Sequence, residues 1–131
     1  IDTGEAQRAI LDFAGADNKT EINWQGERAI MAKNKVKLLL NLFLIAYGAI
    51  PRGGSIDIVL ESLDSNPKFT LTARGKMVRV SPKFLEIYSG ELSEPIDAHS
   101  IQPYYTVVLA EAAGMAVSMT AGPEEVKFTT S

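Results

Sequence analysis

Few residues in this chain can do chemistry. There is one histidine, His99, and no cysteine among 131 residues. A metal site of several histidines, a thiolate zinc site, a disulfide scaffold and a cysteine nucleophile are therefore excluded. A Ser-His-Asp arrangement would have to use His99. Its neighbours Asp97, Ala98 and Ser100 suggest a loop or helix cap, which fits a surface histidine. The sharper alternatives are a phosphoacceptor, or a general base beside Glu94 or Asp97. Lys33, Lys35 and Lys37 form a basic cluster at a predicted helix start, where they oppose the macrodipole. That misfit marks either a solvated face or a surface for an acidic partner, which Arg52, Arg74 and Lys76 could join in space. Tyr104 and Tyr105 point about 100° apart on a helix. Their spacing is read as core for both, with a cleft-lining or partner-facing position as the alternative for one of them. Gly53-Gly54 could mimic a phosphate loop, but no Lys-Ser/Thr follows. Glu124-Glu125 lies beside a turn and suggests no acid–base couple.

The elements that must position these residues are readable from local signals. Asp2 or Thr3 caps a first helix, with an apolar stripe of Ala6, Ala9, Ile10 and Phe13. Thr20 to Trp24 alternates as a short strand. Ala32 to Ala49 is the strongest helix candidate, apolar on most sides after Val36, so it should be largely buried against a sheet. Pro51 to Gly54 stops it. Ser55 to Glu61 alternates cleanly, Asp64 to Pro67 turns, and Phe69 to Ala73 pairs back antiparallel. Met77 to Val80 reads as extended. Ser81-Pro82 opens a helix that ends at Gly90, and Glu91 to Ala98 reads as a polar loop. Ser100 or Gln102 with Pro103 opens the last helix, with a stripe of Tyr105, Val108, Leu109 and Ala112 and a left-handed cap at Gly114. Met115 to Thr120 and Val126 to Thr129 finish as a hairpin. The expected fold class is α+β: a two-layer sandwich with helices on one face of a mixed, mostly antiparallel sheet.

Composition sets the wider frame. Hydrophobic residues make up 46% and charged residues 22%, the balance of an ordinary globular domain and not of a disordered chain. The length fits one domain with one core. The formal charge of −3 gives no global basic field, so neither nucleic acid nor a membrane surface is an expected partner. The longest apolar run, Val36 to Ile50, is broken by Lys37, Asn41 and Gly48 and falls short of the roughly 18 to 20 residues that span a bilayer. The first residues lack a basic region followed by an apolar one, and a cytoplasmic address is expected. There is no initiator Met, which suggests a piece of something longer.

Asn41-Leu42-Phe43-Leu44-Ile45-Ala46 followed by Pro51-Arg52-Gly53-Gly54 resembles the N-box region of histidine-kinase ATP-binding domains. There a helix carrying Asn-Leu-x-x-Asn-Ala runs into a Pro-x-Gly-Gly turn and a strand, within a Bergerat-type ATPase sandwich. Three nucleotide-binding features of that family are missing. The second N-box asparagine, which helps hold Mg²⁺, is replaced by Ile45, and a hard cation needs oxygen. The adenine-reading Asp-x-Gly-x-Gly loop is matched by Ala73-Arg74-Gly75-Lys76-Met77, without a carboxylate. The glycine-rich phosphate segment is matched by Ile101-Gln102-Pro103-Tyr104-Tyr105, without glycine.

With Pro51-Arg52-Gly53-Gly54, Gln102-Pro103-Tyr104-Tyr105 and the Glu5-Ala6-Gln7-Arg8 helix opening, the chain is similar to the second domain of ChpT-type histidine phosphotransferases. That resemblance implies a degenerate ATPase-like domain over residues 1–131, with residues 1–15 as entry helix. A dimerising hairpin bearing the phosphoaccepting histidine would lie upstream. It implies no cofactor on this chain and no catalytic residue in it, since Mg²⁺ would sit in the receiver's acidic pocket. The implied partners are response-regulator receiver domains, including the receiver of a hybrid histidine kinase, and a second copy through the hairpin. Lys33, Lys35, Lys37, Arg52 and Tyr104 are the candidate partner-binding residues. The rival readings are the ATP-binding domain of a divergent kinase and a structural dimerisation module.

Overall fold

A computed structural model describes residues 1–63, 65–90 and 101–130. The turn residue Asp64, the expected loop Glu91 to Ala98, His99 and Ser100 lie outside the described residues. Element order follows the sequence reading: α1 (Thr3–Gly15), β1 (Thr20–Gln25), α2 (Lys33–Ala49), β2 (Gly54–Glu61), β3 (Lys68–Arg74), α3 (Pro82–Ser89), α4 (Ile101–Ala112), β4 (Val117–Ala121) and β5 (Glu125–Thr130).

The strands form one sheet in the order β1-β2-β3-β5-β4. β1 runs parallel to β2, with Ile22 opposite Ile56, and every other pairing is antiparallel. Alternation sends Ile56, Ile58, Leu60, Phe69, Leu71, Ala73, Val126 and Phe128 into the core. The other face carries the polar row Asn23, Asp57, Thr72, Lys127 and Thr120, which are register partners across all five strands. One covered face and one polar face make the two-layer sandwich.

Local chemistry explains the helix ends. The Asp2 carboxylate accepts from the Gly4 N–H at 2.7 Å and so caps α1. Ser81 Oγ accepts from the Phe84 N–H, Pro82 occupies the first turn of α3, and Gly90 closes it at φ 77°. α2 buries Val36, Leu38, Leu39, Leu42, Phe43, Ile45, Ala46 and Ala49, a set that wraps most of its circumference. It can do so because it lies on the sheet with α1 and α4 against its sides. α3 packs on the sheet through Phe84, whose ring meets Phe128 edge-on at 5.8 Å.

Three expectations need correction. The buried face of α1 is Thr3, Ala6, Ile10 and Ala14, not Ala6, Ala9, Ile10 and Phe13. Phe13 leans sideways instead, with its ring edge-on to Phe43 at 5.8 Å and to Tyr47 at 5.1 Å. Met77 to Val80 is not a strand. β3 already has neighbours on both sides, and the segment crosses the end of α2, where the Arg79 N–H donates to the Ala49 carbonyl at 2.7 Å. In α4 the buried residues are Pro103, Thr106, Leu109 and Ala110, so the helix is turned away from the expected stripe. Among the described residues no helix is long and apolar enough to cross a membrane.

Candidate functional site

α2 and α4 meet side by side, and polar groups fix how they meet. Asn41 is one of few polar residues in an apolar stretch of α2. Its amide nitrogen donates to the Lys37 carbonyl at 2.8 Å. Its amide oxygen accepts from Gln102 Nε2 at 3.1 Å, and the same nitrogen reaches Thr106 Oγ1 at 3.1 Å. The Thr106 hydroxyl in turn donates to the Gln102 carbonyl at 2.9 Å, and Thr106 is buried. Both polar atoms of the Asn41 side chain are thus consumed within the protein, in a small network that joins the two helices.

Beside this network lies a cleft of about 390 Å³, between Leu44, Ile45 and Gly48 of α2, Gln102 and Pro103 of α4, and Arg79 with Ser81 at its rim. Ile45 is 7% exposed and belongs to the core cluster. It offers neither oxygen nor nitrogen to a ligand. Ala73, in the stretch matched to the adenine-reading loop, is fully buried between its register partners Ile56 and Val126.

The corner joining α2 to β2 is closed by backbone. The Gly53 N–H donates to the Ile50 carbonyl at 2.9 Å, the Gly54 N–H to the Lys19 carbonyl at 3.1 Å, and the Gly75 N–H to the Glu124 carbonyl at 3.1 Å. Gly53 and Gly54 have φ of 84° and 142°, values that favour glycine. A Cβ on Gly53 would stand 2.3 Å from the Lys19 carbonyl oxygen, and one on Gly54 1.9 Å from that of Arg74. The Gly53-Gly54 amides are spent on the carbonyls at the end of α2 and just before β1, which removes the basis for a phosphate loop.

Beside this corner Arg74 is paired on two sides. Arg74 bonds Asp57 and lies 3.6 Å from Glu125. Asn23 Nδ2 donates to Asp57 Oδ1 at 2.8 Å. The Asn23 amide, followed by the Arg74 guanidinium, holds the Asp57 carboxyl below the usual carboxylate range despite the opposing effect of partial burial.

The five residues proposed for partner contact do not converge. Lys33 and Lys37 stand one above the other on one side of α2, whereas Lys35 points about 200° away from both. Arg52 is exposed at the opposite end of the helix, beside Arg74, Lys76, Glu124 and Glu125. Tyr104 and Tyr105 are 43% and 41% exposed; neither is core, because the Gln102–Thr106–Asn41 network turns α4 the other way. Tyr104 stands in the first turns of α4. The sequence reading missed Gln102 as the partner of Asn41 and Thr106 as the partner of Gln102. Their i, i+4 spacing in an otherwise apolar helix was the available signal. His99, Glu94 and Asp97 lie outside the described residues.

A five-stranded sheet backed by a long apolar helix that carries Asn41 and ends in a double-glycine corner defines the histidine-kinase catalytic-domain class of fold. The chain superposes on the catalytic domain of histidine kinase ThkA with a TM-score of 0.66, over 99% of this chain and 92% of that one, at 13% identity. Within that class a narrower assignment holds. The family model described as histidine phosphotransferase C-terminal domain matches residues 3–125, and the chain belongs to this family. It is 53% identical over 130 residues to the protein phosphotransferase ChpT of Brucella abortus (strain 2308), covering 98% of this chain and 62% of that protein. A solved structure of a bacterial phosphotransferase superposes with a TM-score of 0.94 at 52% identity, over 100% of this chain and 64% of that one. The chain therefore spans a little over three fifths of the length of these relatives.

Proposed function

We propose that this chain is the receiver-orienting domain of a cytoplasmic histidine phosphotransferase that works without binding ATP. The carrying observation is the state of the α2–α4 seam. Asn41 is tied to Lys37 and Gln102, and Ile45 fills the place of the metal-holding asparagine. A nucleotide with its Mg²⁺ would find no free amide oxygen there. The kinship to phosphotransferases supports the transfer role, and the fold supplies a rigid block that can hold a receiver near a histidine on a preceding helical hairpin.

The chemistry asked of the whole protein is a pair of displacements. An imidazole nitrogen attacks the phosphorus of an aspartyl phosphate on one receiver, the N–P bond forms, and the aspartate carboxylate leaves. A carboxylate on a second receiver then attacks, and the imidazole leaves. Both the acyl phosphate and the phosphohistidine are reactive, so the task left to the protein is positioning. Mg²⁺ would belong to the receiver, whose carboxylates suit it, and a dimer through the hairpin would present the histidine.

Two measurements test this. The full-length protein, incubated with a phosphorylated receiver and no ATP, should take up the phosphoryl group and pass it to a second receiver; no exchange with any receiver encoded beside it rejects the reading. Titration calorimetry with ATP·Mg²⁺ should give no heat of binding, and micromolar affinity would return the chain to the kinase class.

A further inference from the structure

The start of the chain is tied down more firmly than most chain ends are. The Ile1 nitrogen donates to the Met31 carbonyl at 2.8 Å, as a peptide N–H there also would, and the Ile1 carbonyl accepts from the Met31 N–H at 2.8 Å. The Thr3 N–H donates to the Ala29 carbonyl at 2.8 Å, and the Ala29 N–H donates back to Thr3 Oγ1 at 2.9 Å. Asp2 faces Ile30 between these pairs, in antiparallel register. Residues 1–3 and 29–31 therefore make a small two-stranded ribbon outside the main sheet. Thr3 and Met31 are buried, so the ribbon is seated on the body of the domain.

A side-chain latch crosses the ribbon. Arg28 Nε donates to Asp2 Oδ2 at 2.7 Å, and Arg28 Nη2 lies 2.5 Å from the same oxygen. The Arg28 guanidinium, followed by the Gly4 amide, holds the Asp2 carboxyl below the usual carboxylate range. Gly4 is not among the glycines with positive φ, so its backbone does not demand one. A Cβ there would stand 3.1 Å from Arg28 Nε and 3.1 Å from Asp2 Oδ1. The bare α-carbon lets the latch lie against the first turn of α1. A residue placed before Ile1 continues from a nitrogen already bonded to Met31, so the ribbon sets the direction in which it leaves.

We propose that the ribbon of residues 1–3 and 29–31, locked by Arg28 on Asp2, is a clamp that fixes the angle between this domain and the segment that precedes it. This rests on the receiver-orienting role proposed above and adds what makes the orientation single. A flexible joint would let a docked receiver wander from the histidine, whereas a clamped one settles the geometry before the encounter. Thr3 and Arg28 are positioning residues, since neither touches the reacting atoms.

The test uses the full-length phosphotransferase with two spin labels in a background without other cysteines. One label sits on the preceding segment and one at Lys127→Cys, on the open face of the sheet. The wild-type distance distribution should be single and narrow. Thr3→Pro is the decisive variant. Proline suits the first position of α1, and Asp2 before it is already extended at φ −78° and ψ 128°. The substitution spares the helix and removes both bonds between Thr3 and Ala29. It should broaden the distribution about twofold or more and raise the KM for phosphorylated receiver about fivefold, with kcat within about twofold. Asp2→Asn keeps an oxygen to cap α1 but loses the ion pair to Arg28, and should broaden the distribution less. A broad wild-type distribution, or an unchanged width in Thr3→Pro, overturns the clamp while leaving the phosphotransfer role standing. A broadened distribution with unchanged KM overturns the positioning role of Thr3. Where Thr3→Pro does not fold, Asp2→Asn decides, and wild-type width and KM in that variant overturn the proposal. A wild-type protein that exchanges with no receiver rejects the role proposed above, and a narrow distribution then still supports the clamp.

Discussion

The glycine corner and the outer face of α4 treat their surroundings in opposite ways. At the corner the glycine donors have internal acceptors: Gly53, Gly54 and Gly75 give their N–H groups to Ile50, Lys19 and Glu124, and Arg74 is paired with Asp57 and Glu125. On α4, Ile101, Tyr104, Tyr105 and Val108 leave large side chains in water. The two motifs matched to nucleotide-binding segments, Gly53-Gly54 and the Ile101–Tyr105 opening of α4, thus stand in different surroundings. The first closes a corner. The second presents exposed apolar side chains beside a closed seam. A region whose groups are mutually satisfied holds the fold; a region with unspent apolar area is available to a partner.

That contrast can be broken by substitution. The largest effect should come from Gly54→Ala, which puts a Cβ 1.9 Å from the Arg74 carbonyl oxygen at a φ that L residues avoid. A loss of more than about 3 kcal/mol is expected, read as a lower urea midpoint. Survival of the variant at wild-type stability would mean that the corner is not the closure described. Next comes Gln102→Ala at the seam. Losing the bond to Asn41 should cost about 1 kcal/mol, and restoration by Gln102→Asn should fail because the shorter side chain cannot span the same distance.

Smaller again is Asp57. Its carboxyl is held below the usual range by Asn23 and then Arg74, so the folded pKa is depressed relative to the unfolded chain. The sign follows: the contribution is present above the unfolded carboxylate value of about 3.9 and is lost as pH falls through the folded value. Asp57→Asn should cost no more than about 1 kcal/mol at neutral pH, and the gap from wild type should close on acidification below about pH 4. A gap that widens in acid would contradict the assigned pairing. The smallest effect on stability should come from Tyr104→Ala, within about 0.5 kcal/mol for a side chain that is exposed. A large loss of melting temperature there would make α4 a structural element on both sides and dissolve the contrast.

Legibility varied with the range of the interactions. α3 was readable end to end, because Ser81, Pro82 and Gly90 act within a few bonds of the backbone they cap. The α2 helix and the β2–β3 pair were readable from apolar period alone. The departures at Ile45 and Ala73 could be seen as missing chemistry, and the structure adds that both side chains are buried. The seam was not readable as such: Asn41 and Gln102 are 61 positions apart, and no local pattern announces that they touch. The lysines looked like one cluster because they are close in sequence, yet helix geometry separates Lys35 from Lys33 and Lys37.

By itself the sequence determined the order and type of the elements, because caps, turns and hydrophobic period are encoded within a few residues of where they act. It also determined which oxygen and carboxylate ligands are missing, because a side chain's chemistry does not depend on its setting. Tertiary structure alone decided which side of α4 faces the core, that Asn41 meets Gln102, and that the paired glycines close a corner. Those outcomes depend on contacts between distant segments, and an apolar helix with two apolar sides can turn either one inward until a few buried hydrogen bonds choose.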